Sequence, residues 1–200
     1  MMFCLQYEPE LYAVNGSGTG DAGTVEGDKY YGSPAEYRAM WAYVRAKFDA
    51  ANVTNAVWVM DYSVSATQPE YHPLMAALWP GDGMVDWLLF NVFKFGEQVG
   101  YSFTEVVNQS YAQFEALSGV AQQWEGVWYA ANYKGCAAWG LGAWGVNGVK
   151  TWSHPDEADR ISWLQEAKAD FEGGVFPRLQ LSLYFDAYDE NSGTGSEVGN

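Results

Sequence analysis

The sequence has few cysteines, few basic residues and no long apolar run, and each shortage excludes a class of protein. Two cysteines, Cys4 and Cys136, are too few for a disulfide framework or a closed zinc site, so no metal site is predicted. Ten Lys and Arg residues against 25 Asp and Glu residues give a net charge of −15, which would repel nucleic acid. No segment approaches the roughly 20 apolar residues that span a membrane, and the N-terminus lacks the pattern of a signal peptide.

Aromatic residues, by contrast, are abundant: the chain has 10 Trp, 14 Tyr and 10 Phe. Such side chains fill protein cores, and in open clefts they also stack on sugar rings, so the excess favours a carbohydrate ligand. A length of 200 residues suits one domain. We predict that residues 1–190 form this domain and that residues 191–200, rich in Gly and Ser, form a flexible tail.

Predicted strands and helices alternate along the chain. The strands cover residues 3–8, 56–60, 85–93, 136–144 and 179–186. One helix begins after Ser33, with Pro34 at its first position and Glu36 completing a capping box, and others cover residues 104–117, 120–133 and 153–172. This alternation predicts an α/β fold in which parallel strands are joined by right-handed helical crossovers.

The first predicted strand ends in an acidic residue, Glu8. Pro9 has no N–H group to continue the strand pairing, so Glu8 is expected at the carboxyl end of the strand. In barrels of parallel strands, that end carries the chemistry, although a carboxylate there can also serve a structural role by binding neighbouring donors. No glycine-rich phosphate loop opens any predicted helix, so no nucleotide and no other cofactor is predicted.

Three segments carry a resemblance to a known family. Residues 33–44, SPAEYRAMWAYV, are followed by NAVWV at 55–59, and residues 79–87 read WPGDGMVDW. In this order they resemble glycoside hydrolase family 26, the β-mannanase family of retaining enzymes built on a (β/α)8 TIM barrel. The similarity runs from about Leu5 to Asp186, and it implies a partial barrel that contains only strands four to eight.

The resemblance assigns roles to residues at the strand ends, and several of them depart from the family pattern. Glu8 matches the general acid/base, but Ala143 stands where the family has its nucleophilic glutamate. A retaining mechanism requires two carboxyl groups about 5–5.5 Å apart, and alanine cannot form a glycosyl ester. Tyr7 replaces a usual histidine, and Phe93 replaces a tyrosine that orients the nucleophile.

The resemblance also implies a ligand and a location. We expect a β-linked polysaccharide such as mannan or a related glucan as ligand, and an extracellular or secretory location. Trp79 and Trp144 lie near predicted strand ends and are the candidates for stacking on sugar rings, with Tyr7 and Phe93 as further substrate-binding positions.

Two interpretations remain open at this point. The chain is either a mannanase-like hydrolase impaired by the loss of its nucleophile, or a non-catalytic barrel that binds carbohydrate or serves as a subunit of a larger assembly. An inverting pair made of Glu8 and another acid is not expected, because Asp61 and Asp186 do not lie on strand seven. The open edges of the predicted sheet require cover, from missing N-terminal strands or from another subunit.

Overall fold

A computed structural model describes residues 1–11, 32–63, 67–94, 100–146 and 157–184. Its strands are β1 (Met2–Tyr7), β2 (Val57–Tyr62), β3 (Trp87–Lys94), β4 (Gln122–Trp124), β5 (Val127–Tyr129), β6 (Ala138–Val146) and β7 (Leu179–Tyr184). Its helices are α1 (Pro34–Ala50), α2 (His72–Leu78), α3 (Phe103–Leu117) and α4 (Glu157–Gly173). The predicted tail at 191–200 and Asp186 lie outside the described residues.

Five strands form one parallel sheet in the order β1-β2-β3-β6-β7. Helices connect successive strands of this sheet, as a (β/α) barrel requires. The sheet does not close, since β1 and β7 lie at its two edges and do not pair with each other. The predicted fold class, an α/β partial barrel of the TIM type, is therefore confirmed.

Capping explains where two of the helices begin. Ser33 caps α1 through a reciprocal capping box, in which its backbone N–H donates to Glu36 at 2.7 Å and its hydroxyl accepts from the Glu36 N–H. Ser102 and Glu105 form the same arrangement at the start of α3. The start of α1 agrees with the sequence prediction.

Packing against α1 and α2 shows which face of the sheet carries the helices. Trp58 of β2 contacts Trp41 of α1, with ring centroids 6.1 Å apart, and the Tyr62 hydroxyl donates to the Met75 carbonyl of α2 at 2.9 Å. Because side chains alternate along a strand, Asp61, between these positions, points to the opposite face. That second face is the interior of the partial barrel.

The prediction of a helix at residues 120–133 is wrong. The structure has an antiparallel hairpin of β4 and β5 there, followed by a short 3-10 helix at Tyr133–Gly135. Glu125 and Gly126 both take positive φ, at 48° and 81°, which forms the tight two-residue turn typical of hairpins. The backbone reversal at this turn prevents a continuous helix. None of the described helices is long and apolar enough to cross a membrane.

Candidate functional site

Glu8 lies immediately after β1, at the carboxyl end of the sheet. The strand ends at Tyr7, one residue earlier than predicted, and Pro9 begins a short 3-10 helix, Pro9–Leu11. Glu8 itself has φ of 47°, a strained conformation for a residue with a side chain. Its N–H donates to the Asp61 carbonyl at 3.1 Å, and its carbonyl accepts from Leu11 at 3.1 Å. These bonds hold Glu8 in this conformation.

The Glu8 carboxylate is part of a polar cluster on the interior face of the sheet. The Asn91 side chain donates from Nδ2 to Glu8 Oε1 at 2.7 Å. Asn91 and Asp61 are both buried, and they lie on the strands β3 and β2 that follow β1 across the sheet. Sequence reasoning missed Asn91, and it discounted Asp61 because that residue is not on strand seven. A polar side chain within an otherwise apolar strand was the available signal.

Asp61 and Asn91 reach across to β6 at Gly142. A Cβ atom built at Gly142 would lie 2.8 Å from Asp61 Oδ1 and 2.9 Å from Asn91 Oδ1, too close for any side chain. Glycine at this position therefore makes room for the two polar groups. The carboxyl group of Asp61 thus lies close to β6 at Gly142, the residue before Ala143, where the resemblance predicted the nucleophile.

β6 contains a bulge at the same point. Between the pairs Phe90–Leu141 and Val92–Trp144, β6 has one more residue than β3, so Gly142 and Ala143 together oppose a single residue of β3. Bulges of this kind redirect side chains and are common beside active sites. Glu8 and Ala143 lie at the same end of one parallel sheet, separated by β2 and β3.

Burial and neighbouring charge control the protonation of the two carboxyl groups. Burial, followed by the charges of Glu8 and Glu10, raises the pKa of Asp61 to about 8. Burial also raises the pKa of Glu8, while hydrogen bonds from Asn91 and Tyr7 partly oppose that rise. Glu10 is buried nearby and accepts from the Ser63 N–H at 2.6 Å. In the part of the chain that the structure describes, no group of His, Cys, Asp and Glu is arranged to hold a metal.

The remaining predicted site residues divide into two groups. Tyr7 is 47% exposed and donates to Glu8, and Phe93 is partly buried on the same strand face as Asn91. Trp79 and Trp144 do not have the exposure that sugar stacking requires, since they are only 5% and 7% exposed. The aromatic side chains that enclose the Trp144 indole are Phe103, Trp163, Phe171 and Tyr184.

Burial therefore corrects the prediction for Trp79 and Trp144. Trp79 packs edge-on against Tyr133, with ring centroids 5.1 Å apart. Both indoles stabilise the helix-bearing side of the sheet, because a large ring near a strand end is buried when helices cover that end. Tyr7 is the exposed aromatic side chain in contact with the Glu8 cluster.

Comparison with known proteins gives structural matches alone: no family model and no curated protein matches the sequence. A double mutant of the endo-β-1,4-mannanase from Cellulomonas fimi matches with a TM-score of 0.51 and 18% identity over 80% of this chain. An engineered protein matches with a TM-score of 0.50 and 19% identity over 78% of this chain. A second structure of the Cellulomonas fimi enzyme, a glycoside hydrolase family 26 mannanase, matches with a TM-score of 0.49 and 18% identity over 77%.

At this level of identity the likeness establishes the fold alone. This chain covers 31%, 30% and 30% of those three structures, so it spans about a third of their length. The parallel sheet described above thus corresponds to part of a glycoside hydrolase-like barrel.

Proposed function

We propose that this chain is a relative of family 26 mannanases whose Glu8 site binds a β-linked polysaccharide, such as mannan or a related glucan, without hydrolysing it efficiently. The observation that carries the proposal is the carboxyl end of β6, where the residue that matches the nucleophile of the family is Ala143, which has no carboxyl group. Glu8 alone can protonate a leaving oxygen, but a retaining reaction also needs a nucleophile for the oxocarbenium-like transition state. The resemblance supports an extracellular or secretory location.

The site has groups suited to holding a sugar. The exposed ring of Tyr7 provides a flat apolar surface beside the Glu8 carboxylate, which can accept hydrogen bonds from sugar hydroxyl groups. The bonds from Tyr7 and Asn91 hold that carboxylate in place. A neutral polysaccharide also avoids the repulsion that the net charge of −15 would impose on an acidic one.

Binding and hydrolysis are tested on the full chain with mannohexaose and β-mannan. We expect measurable binding by calorimetry, lost in Tyr7→Ala and kept in Trp128→Ala, which removes a 65% exposed tryptophan of the hairpin as a matched control. We expect no release of oligosaccharides. Hydrolysis at roughly 1 per second or faster, as in typical enzymes, would contradict the proposed loss of catalysis.

Ala143→Glu separates an impaired enzyme from a binding module. Gain of hydrolysis with retention of anomeric configuration would show that the missing nucleophile alone accounts for the loss of activity. If the variant still does not hydrolyse the sugar but binds it normally, the result would favour the second candidate, a non-catalytic barrel that binds carbohydrate or serves as a subunit. The further departures at Tyr7 and Phe93 favour this second outcome.

We further propose that additional polypeptide covers the two edges of the sheet, either from barrel strands in a longer product or from another subunit. On the edge strands, Met2 is 44% exposed and Leu183 is 48% exposed, in addition to the unpaired backbone edges. Uncovered edges of this kind promote aggregation. Sedimentation of the 200-residue chain alone should show association or aggregation, whereas a stable monomer would contradict this proposal.

A further inference from the structure

Two buried oxygen atoms of the Glu8 cluster lack a hydrogen-bond partner among the described residues. They are Oδ1 of Asp61 and Oδ1 of Asn91. Asn91 is fully buried and Asp61 is 5% exposed. A buried acceptor without a donor destabilises the fold, so two of them in one cluster require an explanation.

The two atoms border the same small space beside β6. A Cβ atom built at Gly142 would lie 2.8 Å from Asp61 Oδ1 and 2.9 Å from Asn91 Oδ1, so glycine leaves this space open to both of them. An ionised carboxylate that faces an amide oxygen is repelled by it. A proton on Asp61 reverses this relation, because the acid can then donate to the amide oxygen and both unpartnered atoms are used.

We propose that Asp61 carries a proton at neutral pH and donates it to Asn91 Oδ1, which makes Asp61 a positioning residue that holds the Asn91 amide group on Glu8. The hydrogen-bonded chain runs from the Asp61 hydroxyl to the Asn91 oxygen, and from Asn91 Nδ2 to Glu8 Oε1. In this arrangement both of the unpartnered Oδ1 atoms take part in a hydrogen bond.

The opposite arrangement is less consistent with the structure. If Asn91 were turned over, its Nδ2 would face Asp61 and its oxygen would face Glu8, so the proton would have to lie on Glu8. Glu8 is the more exposed of the two acids, and it is also bonded by Tyr7. The free-energy cost of ionisation is smaller for the more exposed acid, Glu8, so the proton is assigned to Asp61.

The charged and titratable groups around Asp61 favour the same assignment. Cys4 and Glu8 lie near it on β1 and at the end of that strand, Glu10 lies in the 3-10 helix, and Tyr37 of α1 interacts with it electrostatically from the helix-bearing side of the sheet. All of them are neutral or negative at neutral pH. The basic residue of β3, Lys94, falls on the opposite strand face from Asn91 by alternation. The raised pKa of Asp61 is consistent with this environment.

This inference rests on the proposed role of Glu8 and specifies how the site is set for binding. A donor fixed on Glu8 stabilises its ionised form, which accepts hydrogen bonds, and disfavours the protonated form that a general acid needs. The orientation of Asn91 thus depends on the proton held by Asp61.

The test is a pH titration of the full chain by NMR, with ¹³C-labelled carboxyl groups and ¹⁵N-labelled side-chain amides. In the wild type, the Asp61 carboxyl should titrate near pH 8, and the Asn91 amide signals should shift with the same midpoint. In Asp61→Asn, a donor remains without a titrating group, so the Asn91 signals should lose the transition near pH 8 and the Glu8 midpoint should be unchanged.

Asp61→Ala provides the matched contrast, because it removes the donor as well. The Glu8 midpoint should then rise by about one pH unit, a tenfold loss of acidity, as Asn91 loses its fixed orientation. The proposal is overturned if Asp61 titrates near its ordinary value, or if the Asn91 signals show no transition near pH 8 in the wild type. It is also overturned if the two variants shift the titration midpoint of Glu8 equally. The wild-type measurement decides even if Asp61→Ala does not fold, and it is independent of any sugar assay.

Discussion

Replacement of Asp61 by asparagine should change how the stability of the protein depends on pH. The pKa of Asp61 is about 8 in the folded chain and about 3.8 in the unfolded chain. Between these values the folded state retains a proton that the unfolded state releases. The contribution of Asp61 to stability is therefore greatest below pH 4, and it falls as pH rises toward 8.

The slope of this loss follows from proton linkage. One retained proton lowers the free energy of unfolding by about 1.4 kcal/mol for each pH unit within the window. Between pH 5 and 7 the wild type should thus lose about 3 kcal/mol relative to Asp61→Asn, which does not titrate. For a domain of this size, that difference corresponds to about 5–10 °C in Tm.

The assay is urea unfolding followed by tryptophan fluorescence at pH 5, 6, 7 and 8 for both proteins. The difference between the two proteins is the informative quantity, because the titration of all other groups cancels in it. Asp49→Asn, at an exposed position on α1, serves as the control for replacement of an aspartate by asparagine. A flat or inverted difference for Asp61→Asn would refute the assignment of a buried, protonated acid.

Two further substitutions test the local geometry. Gly142→Ala places a methyl group under 3.0 Å from Asp61 and Asn91, so it should cost about 1–3 kcal/mol in urea unfolding. Gly173→Ala should not destabilise, because the nearest atom to its Cβ, Val175 Cγ2, is at an ordinary contact distance of 3.9 Å. Equal stability of these two variants would contradict the close approach. Gly126→Ala forces alanine into φ of 81° at the hairpin turn and should cost about 1 kcal/mol, seen as faster amide exchange confined to β4 and β5. Unchanged exchange there would count against the turn.

Local signals in the sequence were sufficient for much of the fold. Ser33, Pro34 and Glu36 predicted the start of α1, because a capping box depends only on neighbouring residues. The five apolar runs predicted the five strands of the parallel sheet to within two residues at their starts. The β4–β5 hairpin was predicted as a helix because glutamate, here Glu125, is not a typical residue at the first position of such a turn. Gly126 was the one residue of the turn that indicated a reversal of the chain.

The candidate site depended on contacts that sequence spacing does not reveal. Asn91 and Glu8 are 83 residues apart, and they meet because strand order and register bring their side chains to one edge of the sheet. The role of Gly142 likewise depends on side chains from two other strands. Trp79 and Trp144 were assigned to the ligand because a sequence pattern does not distinguish an indole that lines a cleft from one that helices bury.

A crystal structure of the full chain soaked with mannopentaose tests the central claim most directly. The account predicts an intact oligosaccharide on the interior face of the sheet, with one ring against Tyr7 and a hydroxyl group within hydrogen-bond distance of the Glu8 carboxylate. A cleaved sugar at this position, a sugar bound on the helix-bearing face instead, or an empty site at saturating ligand concentration would contradict it.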